Sequence, residues 1–88
     1  MLQIAGNWEA PFKDQWYTFT KDGKYSYRNA EGVQHSGTYF VASDYRGGHM
    51  LRMTASNGNF LFWGLKLRAG VMYLDAMNGL GYCPYHRF

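Results

Sequence analysis

The chain has 88 residues, of which 47% are hydrophobic and 19% aromatic, and its net charge is +3. This length predicts one domain over residues 1–88, and so apolar a composition excludes a disordered chain. The basic residues are scattered along the sequence, so we expect no nucleic-acid partner. The longest apolar run, residues 60–65, is too short to span a bilayer, and we expect no membrane span.

The cysteine content and the N-terminus indicate a compartment. The single cysteine, Cys83, excludes an internal disulfide and favours a reducing environment. No basic segment followed by a long apolar core opens the chain, so no secretory signal is visible. The sequence therefore predicts a cytoplasmic protein.

Paired turn residues recur about every ten positions, and the runs between them are rich in Tyr, Phe, Trp, Thr and Val. This rhythm is typical of a β-meander, and the frequent glycines interrupt any helical periodicity. The turn pairs are Asp22-Gly23, Glu31-Gly32, Gly47-Gly48, Asn57-Gly58, Ala69-Gly70 and Asn78-Gly79.

The first half of the chain predicts four strands. The first places apolar residues at even positions as far as Trp8, and Pro11 ends it because proline cannot donate to a ladder. The stretch 9–15 is either a loop or one helical turn. Asp22-Gly23 predicts a type I′ hairpin turn between the second and third strands. The second to fourth strands are predicted at 16–20, 25–29 and 37–42.

The second half predicts four more strands, at 49–55, 59–68, 71–76 and 81–88, after a long loop over 43–48. In the sixth strand, alternate residues from Leu61 to Leu67 form an apolar row. Gly64 interrupts the opposite row and predicts a bulge or a sharp bend. Pro84 weakens the last strand.

Eight strands in sequence order predict an all-β, antiparallel up-and-down barrel. Pairing the last strand with the first removes the exposed edges. With eight strands, the interior is wide enough to be filled by side chains or to hold one small ligand. A strongly bent, partly open sheet is the main alternative.

The segment Gly6-Asn7-Trp8 resembles the Gly-x-Trp motif of lipocalins and other calycin barrels, and residues 17–25 with 37–39 resemble the early strands of small bacterial lipocalin-like domains. The resemblance implies that Trp8 packs near the closed end of the barrel, with Arg87 lying across it and Arg68 as second choice. It also implies non-catalytic binding of a hydrophobic or aromatic small molecule. The chain is shorter than a lipocalin and lacks the C-terminal helix of that family.

A ligand would contact inward aromatic and sulfur-containing residues of the strands, since such pockets combine an apolar body with polar tips. Alternatively, these residues simply fill the barrel. Arg52 would clamp a ligand carboxylate if it pointed inward, although an outward position is expected. The predicted ligand-binding residues are Tyr25, Tyr27, Tyr39, Met53, Trp63 and Tyr73.

We expect no catalytic residues, no metal site and no cofactor. Cys83 and His86 are three residues apart and therefore face opposite sides of a strand, so a buried cysteine and a surface histidine are favoured over a metal or haem site. No nucleophile motif is present. Asp75 is either inward and paired or the exposed end of its strand.

If the Leu61–Leu67 row faces inward, Phe60 and Phe62 face outward, and Phe40 joins them from another strand. An exposed aromatic patch on a small domain is typical of a partner surface. The second functional hypothesis is therefore a protein–protein interaction module with a filled core, working as a homodimer or as an inhibitor of a larger protein.

Overall fold

The computed structural model describes residues 4–12, 14–43, 48–75 and 81–88. They form eight antiparallel strands in sequence order, and β8 pairs with β1 to close the barrel. The described residues contain no helix, so the predicted all-β up-and-down barrel is confirmed. The strands are β1 (Gly6–Glu9), β2 (Gln15–Phe19), β3 (Lys24–Asn29), β4 (Gln34–Ser43), β5 (His49–Ala55), β6 (Phe60–Arg68), β7 (Val71–Asp75) and β8 (Tyr82–Arg87).

Barrel closure depends on the short ladder between β1 and β8, where Trp8 pairs with Arg87 and Glu9 with His86. The partly open sheet is therefore wrong, because β1 has a partner on each side. The boundaries differ most at β4, which begins at Gln34 rather than at Gly37 because residues 34–36 continue the ladder with β3.

Alternate side chains point into the barrel, as expected for strands buried on one face. The buried hydrophobic residues form one continuous cluster to which every strand except β4 contributes, and Tyr39 and Val41 of β4 pack partly buried against it. The buried cluster consists of Ile4, Trp8, Ala10, Tyr17, Phe19, Tyr25, Leu51, Met53, Leu65, Met72, Leu74 and Tyr85.

Three hairpins share one turn geometry, which differs from the type I′ turn predicted at Asp22-Gly23. Gly23, Gly32 and Gly58 each have a positive φ of about 90°, and each is the third residue of a three-residue loop. Asp22 has no positive φ, whereas a type I′ turn requires one at both central positions. The prediction is wrong because the loop has three residues, a type I turn followed by one left-handed residue.

The two-residue turn with both central φ angles positive lies between β6 and β7. Ala69 has φ 52° and Gly70 has φ 77°, and Arg68 pairs with Val71 on either side of them. This is the pattern of a type I′ turn. Ala69 is the only described residue other than glycine with a positive φ.

The sequence predicted a bulge or a sharp bend at Gly64, whereas the backbones of two strands approach closely at Gly37. The register of β6 runs through Gly64 without an extra residue on either side, so the bulge prediction is wrong. At Gly37, a Cβ atom would lie 1.9 Å from the carbonyl oxygen of Thr54 and 2.9 Å from Cα of Ala55. Glycine is required at position 37 because the backbone of β5 lies directly against the backbone of β4 there.

Parts of the prediction lie outside the described residues. They comprise the start of the first strand, most of the 43–48 loop, and the Asn78-Gly79 turn with the end of the seventh strand.

Candidate functional site

The barrel interior contains a cluster of packed aromatic rings centred on Tyr17. Its ring centroid is 5.5 Å from that of Phe19, 4.8 Å from that of Tyr27 and 5.5 Å from that of Tyr85. Burial raises the pKa of the Tyr17 hydroxyl far above its usual range, and the nearby Tyr85 hydroxyl raises it further. Tyr17 therefore stays neutral and acts as a core residue.

A second interior contact joins Tyr25 to His35, where the Tyr25 hydroxyl lies 3.0 Å from Nδ1 of the imidazole. The His35 ring also packs against Tyr27, with centroids 4.7 Å apart. Burial lowers the pKa of His35 below its ordinary value, which favours the neutral imidazole at neutral pH.

The structure places five of the predicted ligand residues on the inner side and one on the outer side. Tyr25 and Met53 are buried, and Tyr27, Tyr39 and Trp63 pack partly buried against the core. The expectation that Tyr73 points inward is wrong, because its neighbours Met72 and Leu74 occupy the inner face of β7.

The inward hydroxyls are largely engaged within the protein. The Tyr39 hydroxyl donates to the carbonyl oxygen of Thr20 at 2.6 Å, and that of Tyr25 contacts His35. Tyr25, Tyr27 and Tyr39 each line a different groove at the surface. The described interior thus resembles a filled core more than a chamber with free polar tips.

The contact between Trp8 and Arg87 that the lipocalin resemblance implies is present. The guanidinium carbon of Arg87 lies 4.2 Å from the Trp8 ring centroid, and Nη1 donates to the carbonyl oxygen of Ala5 at 2.8 Å. The Trp8 indole N–H donates to the carbonyl oxygen of Ile4 at 2.9 Å. Gly6 has φ 136°, and a Cβ atom there would lie 2.5 Å from Arg87 Nη1. A side chain at position 6 would therefore collide with the Arg87 guanidinium, so the stacking of Arg87 on Trp8 depends on glycine at that position.

The residues considered for metal binding do not converge. Among the described residues, no group of three His, Cys, Asp or Glu side chains is close enough to hold a metal ion. Cys83 is exposed rather than buried as expected, because β8 carries it to the barrel rim. Local desolvation and the Asp14 carboxylate raise its pKa, which disfavours the thiolate. Asp75 lies on the outer face of β7.

An outer aromatic face covers β4, β5 and β6. Phe40 pairs with Arg52, which pairs in turn with Phe62, so these side chains lie abreast on three strands. Phe60 precedes Phe62 on the same side of β6, and their rings are 6.4 Å apart at an interplanar angle of 23°. The Arg52 guanidinium carbon lies 5.4 Å from the Phe62 ring centroid. We call Phe40, Arg52, Phe60 and Phe62 the aromatic face.

A polar groove lies beside β2, β3 and β4, and sequence reasoning missed it. Its volume is about 600 Å³, which is within the range of ligand sites. The signal was the polar alternation of β3 and the start of β4, but the register between strands was needed to bring these residues together. The groove is lined by Trp16, Thr18, Ser26, Tyr27, Arg28, Gln34, His35, Ser36, Ala55, Ser56 and Asn57.

Comparisons with protein-family models, curated proteins and solved structures find no significant match to this chain. The barrel is thus shown by its strand pairing, and the lipocalin resemblance stays a prediction. In the described part of the chain, no helix has the length and apolarity needed to cross a bilayer.

Proposed function

We propose that this chain is a non-catalytic interaction module that binds an acidic segment of another protein through the aromatic face. The observation that carries the proposal is the exposure of three phenylalanines on neighbouring strands. Phe40 is 61% exposed, Phe60 66% and Phe62 46%. Large aromatic side chains left in water on a rigid sheet are typical of binding anchors.

The charges around the aromatic face indicate the kind of partner. Arg52 lies between Phe40 and Phe62, and Lys66 and Arg68 follow Phe62 on the same side of β6. Desolvating these cations requires carboxylates opposite them. A partner with apolar anchors flanked by Asp or Glu would meet both requirements, whereas a second copy of this chain would bring like charges together.

Rigidity also supports the proposal. The aromatic face belongs to β4, β5 and β6, which are paired over seven residues between β4 and β5 and six between β5 and β6. The inner faces of β5 and β6 are fixed in the core through Leu51, Met53 and Leu65. The inner face of β4 packs against the core through the partly buried Tyr39 and Val41. Binding therefore orders few groups, which limits its entropic cost.

Ligand binding inside the barrel stays a prediction. The filled interior and the engaged hydroxyls do not favour it, so the outer face is the better candidate. Catalysis has no supporting arrangement in the described residues.

The proposal is tested by selecting peptides from a random phage-displayed library on the immobilised protein. The comparison protein is the double variant Phe60→Ser, Phe62→Ser, which should fold because both rings are exposed. The matched control is Phe12→Ser, Phe88→Ser, since these phenylalanines are 89% and 62% exposed but lie away from the aromatic face. Circular dichroism establishes that all three proteins are folded.

We expect wild type and the Phe12, Phe88 control to enrich peptides that combine acidic and large apolar residues. The Phe60, Phe62 variant should bind the synthesised peptides at least about tenfold more weakly, and added salt should weaken wild-type binding. Enrichment that survives in the Phe60, Phe62 variant would overturn the proposal. A wild-type dimer in sedimentation that this variant converts to monomer would also overturn it, by assigning the aromatic face to a second copy.

A further inference from the structure

The polar groove exists because β4 extends beyond its partner strand. β4 begins at Gln34, but its first pairing with β5 joins Gly37 to Ala55, so residues 34–36 have β3 on one side only. The turn after β5 folds beside this free edge, and the Ser56 N–H donates to the carbonyl oxygen of Ser36 at 2.8 Å. At Ser36 the backbone of the groove is therefore held from both sides, by β3 and by the turn after β5.

Hydroxyl groups line the groove in a row. The register places Thr18 opposite Ser26 and Ser26 opposite Ser36, on strands about 4.8 Å apart. The Thr18 hydroxyl is held by Asn7 Oδ1 at 2.8 Å, and those of Ser26 and Ser36 line the groove. Such a row can donate to and accept from several hydroxyls of one ligand.

The groove lining carries one permanent positive charge and no carboxylate. Arg28 supplies the charge, and its guanidinium carbon lies 4.2 Å from the Trp16 ring centroid. The Trp16 indole is itself fixed, since its N–H donates to Oε2 of Glu9 at 2.8 Å. A guanidinium stacked on a ring keeps its planar N–H edge for bidentate binding of a phosphate or a carboxylate.

Neutral polar groups complete the wall. His35 lines the groove, and its Nδ1 is engaged by the Tyr25 hydroxyl. Gln34 and Asn57 add amides, which bind hydroxyls as donors and acceptors. The lining therefore combines one anion-binding cation with many hydroxyl-binding groups.

We propose that this groove binds a small phosphate monoester with a polyhydroxylated body, a sugar phosphate, with Arg28 holding the phosphate. Ser26, Ser36 and Ser56 bind the hydroxyls of the body. The site is separate from the aromatic face and independent of the function proposed above, because its lining shares no residue with that face.

The test is an NMR titration of the nitrogen-labelled protein with glucose 6-phosphate, with glucose and inorganic phosphate as separate titrants. The Trp16 indole N–H and the amides of Ser26 and Ser36 report on the groove. Arg28→Gln removes the charge but keeps a planar polar group, and Arg68→Gln makes the same charge change outside the groove lining. Ser36→Ala gives a second, uncharged perturbation.

We expect saturable shifts of the groove signals with glucose 6-phosphate at a Kd of about 1 mM or lower. Arg28→Gln should weaken binding at least about tenfold, Ser36→Ala should weaken it less, and Arg68→Gln should leave it within about twofold. Signals remote from the groove verify that each variant is folded.

Three outcomes would overturn the proposal. One is the absence of saturation with glucose 6-phosphate at about 20 mM. Another is equal weakening by Arg28→Gln and Arg68→Gln, which would show that only net charge matters. The third is binding of inorganic phosphate as tight as that of glucose 6-phosphate, which would remove the role of the hydroxyl row.

Discussion

Replacing Gly37 by alanine tests the close approach of the β4 and β5 backbones at the Gly37–Ala55 pair. The added Cβ would lie 1.9 Å from the carbonyl oxygen of Thr54, whereas ordinary contacts begin at 3.4 Å. The obstacle is backbone, so relief requires β5 to move by about 1.5 Å. Such a displacement would break the neighbouring hydrogen bond, in which the Ser56 N–H donates to the carbonyl oxygen of Ser36 at 2.8 Å.

The expected cost of Gly37→Ala is large for so small a domain. Overpacking costs about 1–3 kcal/mol, and each weakened ladder hydrogen bond adds about 1 kcal/mol. We therefore expect the free energy of unfolding to fall by at least about 3 kcal/mol, from a total of about 4–13 kcal/mol for a chain of this length. The variant should be marginally stable or unfolded.

The assay is urea unfolding followed by circular dichroism, with two glycine controls. A Cβ at Gly48 would meet no heavy atom within 4 Å, so Gly48→Ala should lower the free energy of unfolding far less than Gly37→Ala does. A Cβ at Gly64 would lie 3.3 Å from side-chain atoms of Asp75 and Tyr82, which can move, so its cost should be intermediate. If Gly37→Ala were as stable as Gly48→Ala, the close approach of the two backbones at Gly37 would be refuted.

Two further predictions concern the contact between Arg87 and Trp8 and the β6–β7 turn. Arg87→Gln should lower the free energy of unfolding by about 1–3 kcal/mol, because it removes the stacking on Trp8 and a charged hydrogen bond; in urea unfolding, a loss no greater than that of Arg68→Gln would contradict the contact. Ala69→Asn should raise stability by up to about 1 kcal/mol, because asparagine tolerates the positive φ of 52° better than alanine; a lower melting temperature would argue against this turn geometry.

The sequence by itself determined the strand count, the order of the strands and, in most strands, which side chains share a face. Alternation placed Phe60 and Phe62 outside if the Leu61–Leu67 row faces inward, as the structure has them, because the two-residue period of a strand is a local property. In β7 the assignment of faces went wrong, since apolar Val71 and Tyr73 alternate with equally apolar Met72 and Leu74. There, only packing against the other strands selects the inner row.

Only the tertiary structure decided the register, the turn types and the polar groove. Asp22-Gly23 is compatible with two-residue and three-residue loops, and the pairing of Phe19 with Tyr25 between β2 and β3 fixes which is formed. Arg28, Trp16 and Ser36 are distant in sequence and become neighbours through strand pairing. Side-chain alternation is a local property of a strand, whereas register depends on how all eight strands close around one core.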